Sequence, residues 1–373
     1  MLLFTPGPTP VPESVRLAMA TPTLHHRTAE FESIFKETRR LLFGLMKTDE
    51  VLMLASSGTG AMEASVTNLC KDTLLSINSG KFGERFTKIA KASGLKSIEI
   101  THDWDTAVSV EEVLDTLKAH SSIDAIAMQI SESAGGLRHP VEEIAKAVKA
   151  LYPHIMIIAD GITAVGVEPI DVTHIDCLIA GSQKALMLPP GLSILGLSHK
   201  AIETIGEGKG YYFNLASEMK KQQQNTTAYT APTTLIMGLK AVLEEVESKG
   251  GIELLYSQTA LRAKATRRAL EALGLHSYPH SPAKCMTTID DSDAQAIRDI
   301  LKSTFSVNVA GGQDHLKGKI FRINQMGLIE PYEIVWVVNA IELVLAKLGR
   351  RDFDGTASRV FNEVYFNTML GVN

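Results

Sequence analysis

The stretch IMIIADGITAVGVEPIDVTHIDCLIAGSQK, residues 155–184, contains two short apolar runs, each followed closely by a residue that can carry charge. The first run ends at Asp160, and the second, CLIAG, precedes Lys184 by two residues. Short apolar runs bounded by Gly, Pro and polar residues are typical of strands buried on both faces of a sheet. Ligands bind beyond the carboxyl ends of such strands, so Asp160 and Lys184 are candidate site residues.

Similar apolar runs precede this stretch and alternate with segments of helical spacing. The runs are VLMLA (51–55), LLSIN (74–78), SIEIT (97–101) and DAIAMQI (124–130). Residues 80–93 and 141–151 between them repeat apolar side chains at helical intervals. This alternation indicates βαβ units, and we expect an α/β fold with a mostly parallel sheet covered by helices on both faces.

The pattern changes after residue 233. Two long helical patterns cover 233–275, followed by strand-like CMTTI (285–289), helical DAQAIRDILKSTF (293–305), strand-like KIFRINQ (319–325) and a helix near 334–348. We expect a large α/β domain over 1–250 and a smaller α+β domain over 251–373. In the tail, 350–373, the apolar set Val360, Phe361, Val364 and Tyr365 predicts a packed helix.

The composition excludes several classes of protein. With 373 residues, 45% hydrophobic and 21% charged, the chain resembles a globular protein of more than one core. The net charge of -5, without a lysine–arginine block, gives no footprint for nucleic acid. The start MLLFTPGPTPVP lacks the basic region of a signal peptide, and no apolar run is long enough to span a membrane. We therefore expect a cytoplasmic protein without membrane or nucleic-acid partners.

Three cysteines, Cys70, Cys177 and Cys285, lie far apart in the sequence. Their spacing fits neither a disulfide framework nor a zinc site, so we expect no metal.

A glycine-rich turn, Ser56 to Gly60, joins the run VLMLA to a helix expected near Ala61. The free amides and positive dipole end of a helix N-terminus suit a phosphate group. The turn lacks a third glycine, because Glu63 stands there, and it lacks a P-loop lysine. The turn therefore favours neither a dinucleotide nor a nucleoside triphosphate, although an ordinary tight turn would look the same.

Four side chains could carry chemistry. A strand-end Asp160 could pair with a protonated pyridine nitrogen, or only cap the next turn. A desolvated Lys184 could form a Schiff base, although most lysines are surface charges. Phe82, in NSGKFGERF, could stack on an aromatic cofactor or fill the core. Arg322, in KIFRINQMG, could bind a carboxylate in bidentate fashion or form a structural ion pair.

The order of these features resembles the class V aminotransferases of fold type I, especially the alanine–glyoxylate and serine–pyruvate branch, over roughly residues 3 to 349. The segments that carry the resemblance are TPGPTPVPESV, HHRTAEFESI, SSGTGAMEA, NSGKFGERF, ESAGGLRHP, ADGITAVGVEPIDV, AGSQKALMLPPGL, TAPTTLIMGL and FRINQMG. It implies a pyridoxal 5'-phosphate enzyme with a seven-stranded large-domain sheet, a small C-terminal domain and a homodimer whose active site lies between subunits.

The resemblance also implies roles for particular residues. Lys184 is expected to be the Schiff-base lysine and proton shuttle, and Asp160 the partner of the pyridine nitrogen. The remaining expected contacts are Phe82 on the ring, Ser133 at the ring hydroxyl, Ser57, Gly58, Thr59 and Gln183 at the phosphate, Thr230 at the phosphate from the other subunit, Arg322 at the substrate carboxylate and Gly7 in the substrate loop 1–15.

Two departures from the family pattern bear on the site. Thr227 stands where the family often has a phosphate-binding tyrosine, with Tyr229 nearby, so either residue could take that place. The run 132–136, ESAGG, has two hydroxyl groups fewer than the usual ETSTG.

We expect transfer of an amino group from alanine or serine to glyoxylate or pyruvate. A 2-aminoethylphosphonate-type aminotransferase stays open, because Arg322 could face a phosphonate. A cysteine desulfurase is less favoured, because it needs a cysteine in a mobile loop. A non-catalytic scaffold, which is considered because relatives are labelled as hydrogenase subunits, is also less favoured.

Overall fold

The computed structural model describes residues 1–371. The strands are β1 Leu2–Phe4, β2 Glu50–Leu54, β3 Thr73–Asn78, β4 Lys96–Thr101, β5 Ile123–Gln129, β6 Ser131–Glu132, β7 Leu137–Arg138, β8 Met156–Asp160, β9 Cys177–Gly181, β10 Ser193–Leu197, β11 His276–Ser277, β12 Met286–Asp290, β13 Val307–Gly311 and β14 Ile320–Asn324. The helices are α1 Glu13–Met19, α2 Ala29–Met46, α3 Gly58–Leu69, α4 Gly83–Ala92, α5 Val110–Ala119, α6 Val141–Leu151, α7 His199–Ile205, α8 Leu215–Gln222, α9 Thr233–Ser248, α10 Gly251–Glu271, α11 Ala294–Phe305, α12 Pro331–Lys347 and α13 Thr356–Leu370.

The large sheet has seven strands in the order β2-β10-β9-β8-β5-β3-β4. The neighbours from β9 to β4 pair in parallel, and β10 pairs antiparallel with both β9 and β2. The α/β fold with a mostly parallel seven-stranded sheet is therefore confirmed. The sequence analysis did not identify β10, which returns beside β9 without a crossover helix.

Both faces of this sheet are buried except along the edge strand β4, as the continuous apolar runs predict for the other strands. Along β2, Val51 and Met53 belong to a core with α2, α6 and α9 on one face, while Leu52 and Leu54 belong to a core with α3 and α4 on the other. Because successive side chains of a strand point to opposite faces, one run supplies two cores. Polar groups of the sheet are therefore found mainly in the loops beyond the strand ends.

A second sheet has five strands in the order β1-β13-β14-β12-β11. It packs with α10 to α13 around a separate hydrophobic core. The structure differs from the expected division at the N-terminus, because β1 pairs in parallel with β13 and so belongs to this second sheet. The helix α10 contributes Leu255 to a large-sheet core and Ala265 to the second core, and the division at residue 250 stays a prediction.

The tail forms the helix α13, which packs on α10 of the same chain. Phe361 and Tyr365 are buried, as their spacing predicts. The fully buried carboxylate of Glu342 accepts N–H bonds from Asp354, Thr356 and Ala357, which satisfies amides at the start of this helix. Residues 372–373 of the expected tail lie outside the described residues.

Candidate active site

The carboxyl ends of β8 and β9 meet at one edge of the large sheet. These strands are parallel neighbours with Asp160 opposite Ile179, and Lys184 follows β9 by three residues. A cavity of about 160 Å³ lies at this edge. Its wall consists of Ser57, Gly58, Thr59, Phe82, Arg85, Ser131, Ser133, Asp160, Ile162, Thr163, Gln183 and Lys184. Eight of the predicted site residues therefore share one cavity.

Lys184 projects an amine into this cavity without an ionic partner. Its Nζ donates a hydrogen bond to the carbonyl of Pro6, and no carboxylate of residues 1–371 forms an ion pair with it. Burial lowers the pKa of the Lys184 ammonium to about 8. The nearby Arg322 charge also lowers this pKa, whereas Asp160 and the Cys285 thiol raise it. A substantial fraction of the amine is therefore neutral, and nucleophilic, near neutral pH.

Asp160 is a buried carboxyl group at the end of β8, 5% exposed. Burial raises its pKa to about 6, against the N–H bond from Ile162 to Oδ1 at 2.9 Å and the charges of Arg85 and Lys184. A carboxylate held in such a place is stabilised by a cationic ligand.

The helix α3 begins at Gly58, earlier than the expected Ala61, and points its first turn at the cavity. Its N-cap residue, Ser57, makes no side-chain capping bond, so the first-turn amides are not capped by that hydroxyl. A Cβ at Gly58 would lie 2.3 Å from Ile162 Cδ1, so a larger residue would require the Ile162 side chain to move. Gln183 Oε1 is buried on the same wall with no hydrogen-bond partner within the described chain.

Arg85 is a cavity residue that the sequence analysis missed. Its Nη1 donates to Thr59 Oγ1 at 2.6 Å, and its guanidinium carbon lies 4.7 Å from the centre of the Phe82 ring. The signal was present in KFGERF, because residues three apart on a helix lie on one face. Arg85 adds a positive charge beside the start of α3.

The N-terminal loop covers Lys184. Thr9 N donates to the carbonyl of Gln183 at 3.1 Å, and Thr9 Oγ1 donates to the carbonyl of Lys184 at 2.7 Å. Gly7 has φ of 99°, and a Cβ there would lie 2.6 Å from Lys184 Nζ. Glycine is therefore required at position 7 for both conformation and space.

Arg322 is buried in β14 and is not part of the cavity wall. Its Nη1 donates to the carbonyl of Ser133 at 2.5 Å, and its Nε and Nη2 donate to the carbonyl of Gly311 at 3.1 and 2.5 Å. Burial lowers the pKa of the guanidinium to about 10. These bonds use only part of its donors, so N–H groups on both terminal nitrogens remain for a ligand beside Ser133.

Thr230 is not brought to this cavity. It is exposed and lines a separate groove that also contains Thr227 and Tyr229. Thr227 Oγ1 donates to the carbonyl of Tyr229, whose hydroxyl donates to the carbonyl of Tyr211 at 2.7 Å. Within one chain, neither Thr227 nor Tyr229 takes the place of a phosphate-binding tyrosine.

Other site classes find little support in the described chain. Cys70, Cys177 and Cys285 are all buried and free, and burial raises the pKa of the Cys285 thiol to about 12. Residues 1–371 contain no cluster of side chains suited to a metal ion. No helix in that range is long and apolar enough to cross a membrane.

Comparison with known proteins agrees with this geometry. Residues 2–326 match the family described as aminotransferase class-V, and the chain belongs to that family. An uncharacterized aminotransferase of Helicobacter pylori is 50% identical over 367 residues, covering 98% of this chain and 100% of the relative. A serine–glyoxylate aminotransferase of Methylorubrum extorquens is 28% identical, covering 93% and 91%.

A solved structure shares the whole fold. The aspartate aminotransferase of subgroup IV from Thermus thermophilus superposes with a TM-score of 0.87 at 32% identity, covering 93% of this chain and 99% of that one. The chain is therefore an aminotransferase of the fold type I architecture.

Proposed function

We propose that this protein is a pyridoxal 5'-phosphate-dependent aminotransferase that transfers an amino group from alanine or serine to glyoxylate or pyruvate. The observation that carries the proposal is that two groups line one cavity at the ends of neighbouring strands. They are the amine of Lys184, which has no ion pair, and the buried carboxyl group of Asp160. Both groups cost folding free energy when they are buried without partners. Their retention is explained if a ligand supplies those partners.

The residues present fit pyridoxal 5'-phosphate. The uncapped start of α3 lies on the cavity wall, where a phosphate group would find N–H donors together with the charge of Arg85. The carboxyl group of Asp160 suits a protonated pyridine nitrogen. Phe82 offers a flat ring on the cavity wall, and Ser133 a hydroxyl group.

When bound, pyridoxal 5'-phosphate supplies an aldehyde that condenses with amines and a ring that accepts the electron pair of a breaking Cα–H bond. Asp160, in its ionised form, holds a proton on the pyridine nitrogen and so maintains that acceptor. The neutral form of Lys184 Nζ, whose fraction is increased by the lowered pKa, takes the proton from Cα of the amino acid. Arg322 orients the substrate through its carboxylate.

The choice of small substrates rests on similarity to serine–glyoxylate aminotransferase and on the position of Arg322 behind Ser133. A phosphonate substrate would use the same guanidinium. Assays with L-alanine, L-serine, L-aspartate and 2-aminoethylphosphonate as donors, each with glyoxylate and pyruvate, separate these substrates. Turnover of only 2-aminoethylphosphonate would overturn the carboxylate assignment.

Two other functions are disfavoured by particular observations. A cysteine desulfurase needs an accessible thiol, and the three cysteines are buried. A scaffold has no use for the unpaired amine of Lys184 or the raised pKa of Asp160.

We also propose that Thr230 completes the phosphate site of a partner subunit in a homodimer, because it is exposed and does not line the cavity of its own chain. Lys184→Ala and Thr230→Glu would each be inactive alone. In a refolded mixture, half of the dimers are mixed and one of their two sites is intact, so about a quarter of wild-type activity returns. No recovery, or full activity of Thr230→Glu alone, would contradict this arrangement.

The experiment that tests the main proposal is the visible spectrum of the purified protein with pyridoxal 5'-phosphate, for wild type and Lys184→Ala, before and after L-alanine or L-serine. Wild type should gain a lysine-dependent visible band that one amino acid bleaches, with release of the matching oxo acid. Borohydride reduction and peptide mass spectrometry should locate the cofactor on Lys184. A wild-type protein that stays colourless would overturn the proposal.

A further inference from the structure

Glu132 is a buried acid beside the cavity to which the proposed function assigns no role. It is the second residue of β6, and its side chain is fully buried. The two-stranded β6-β7 sheet closes a tight loop that contains Ser133. Gly80 packs so closely that a Cβ there would lie 2.3 Å from the Glu132 carboxyl carbon, so the carboxylate has little room to move.

The carboxylate bonds two segments of the cavity wall together. Its Oε2 accepts N–H bonds from Phe82 and Gly83, both at 3.0 Å, at the start of α4. Its Oε1 accepts an N–H bond from Ala134 at 2.9 Å, in the loop that carries Ser133. One side chain therefore fixes the main chain of the expected ring-stacking residue and that of the expected ring-hydroxyl contact.

The same loop is held from its other side by Arg322. That guanidinium donates to the carbonyl of Ser133, one residue after Glu132. The negative charge of Glu132 favours the ionised form of Arg322 across the loop, while burial raises the pKa of Glu132 to about 7. The stacking, ring-hydroxyl and substrate-carboxylate positions thus meet at one buried acid.

We infer that Glu132 is a positioning residue for the cofactor: it holds Phe82 and Ser133 at the separation that the cofactor ring requires. This inference rests on the proposed function, because the ring is that of pyridoxal 5'-phosphate. Glu132 does not touch substrate in this assignment and acts only through the two main-chain segments it joins.

Glu132→Gln tests the inference with little change in volume. Its single acceptor oxygen can still serve Phe82 and Gly83, but its NH2 group then faces the N–H of Ala134, and two donors meet. Because bonds to a charged acceptor are also weakened, we expect the dissociation constant for pyridoxal 5'-phosphate to rise about tenfold or more. The visible circular dichroism of the bound cofactor should change as well.

Glu342→Gln is the matched control. Glu342 is also fully buried and accepts three main-chain N–H bonds, but at the start of α13. This variant should lower the free energy of unfolding and leave the cofactor dissociation constant and circular dichroism as in wild type. Equal weakening of cofactor binding by both variants would overturn the inference, because it would reflect general loss of stability.

A second variant, Glu132→Asp, decides the matter if Glu132→Gln does not fold. It keeps the charge and both oxygens but is one methylene shorter, so it cannot reach both segments, and we expect a similar rise in the dissociation constant. Wild-type affinity and circular dichroism in the folded Glu132 variants would overturn the inference and leave the proposed function standing. A wild-type protein that takes up no cofactor would remove both.

Discussion

The two ends of the strands β8 and β9 hold the same pair of residue types in opposite arrangements. At their amino ends, Lys149 Nζ donates to Asp176 Oδ2 at 2.5 Å, and both side chains are nearly buried. At their carboxyl ends, Lys184 and Asp160 face one cavity but form no ion pair among the described residues. One sheet therefore holds a closed lysine–aspartate pair and an open one.

Both members of the closed pair make further hydrogen bonds. Lys149 also donates to the carbonyl of Ile155 at 2.6 Å, while Asp176 accepts from Ile157 N at 2.7 Å and Ser198 Oγ at 3.1 Å. Such a pair ties α6 to two strands, and each of its charges is balanced by the other. The open pair keeps its capacity at a cost in stability, which is the usual mark of a functional site.

The largest expected effect comes from removing the open lysine. In Lys184→Ala, the rate of transamination should fall by roughly 10³-fold or more, because both the amine that condenses with the aldehyde and the general base are lost. The free energy of unfolding should not fall, because no ion pair is broken and the cost of burying the unpaired amine is removed. Activity assays and urea denaturation measure the two quantities, and activity near the wild-type rate would remove Lys184 from the chemistry.

Replacing Lys149, the lysine of the closed pair, should lower stability and leave cofactor binding unchanged. Lys149→Met leaves Asp176 buried without its cation, so we expect the free energy of unfolding to fall by roughly 3 kcal/mol. The dissociation constant for pyridoxal 5'-phosphate should not change, because Lys149 lies at the far end of the strands. Urea denaturation of the apoprotein and a cofactor titration test this. Lost cofactor affinity in a folded variant would break the contrast between the two ends.

The smallest expected effect is a pH dependence belonging only to the open pair. With a folded pKa of about 8, the neutral fraction of Lys184 rises about tenfold between pH 7 and pH 9. The rate of pyridoxal 5'-phosphate uptake by the apoprotein, followed by stopped flow, should rise accordingly.

The lowered pKa of Lys184 also makes the free energy of unfolding depend on pH. The folded protein binds fewer protons at Lys184 than the unfolded chain between about pH 8 and pH 10.5, so this residue's contribution to stability grows with pH in that window and is lost as pH falls toward 8. In the uptake experiment, Lys149→Met should show the same dependence of the uptake rate on pH as wild type. An uptake rate that does not change above pH 7 would contradict the lowered pKa of Lys184.

The sequence predicted six of the seven strands of the large sheet, because most of them are short apolar runs whose ends are marked by polar residues, but it did not predict β10. The runs expected at 97–101 and 177–181 are strands Lys96–Thr101 and Cys177–Gly181. The apolar runs that precede Asp160 and Lys184 correspond to β8 and β9, and the cavity lies at the carboxyl ends of these two strands. Local burial pattern and strand polarity were sufficient for these inferences.

Features that depend on partners distant in sequence were not predictable in this way. The three residues of β1 join the second sheet through β13, about 300 residues later, and a run that short carries no periodicity. Thr230, placed at the phosphate by resemblance, lies outside the cavity of its own chain, and its role depends on a second subunit.

The sequence by itself determined the strand ends, the glycine-rich turn and the residue types that suit the chemistry. Only the tertiary structure decided which charges are paired. Lys149 lies in the helix α6 and Lys184 follows the strand β9, and the local sequence marks Lys184 as a candidate but does not show which lysine has a paired carboxylate. Their difference arises because Asp176 lies within hydrogen-bonding distance of Lys149, while Asp160 and Lys184 line one cavity without forming an ion pair. Pairing of buried charges is a property of three-dimensional distance, which a linear pattern does not contain.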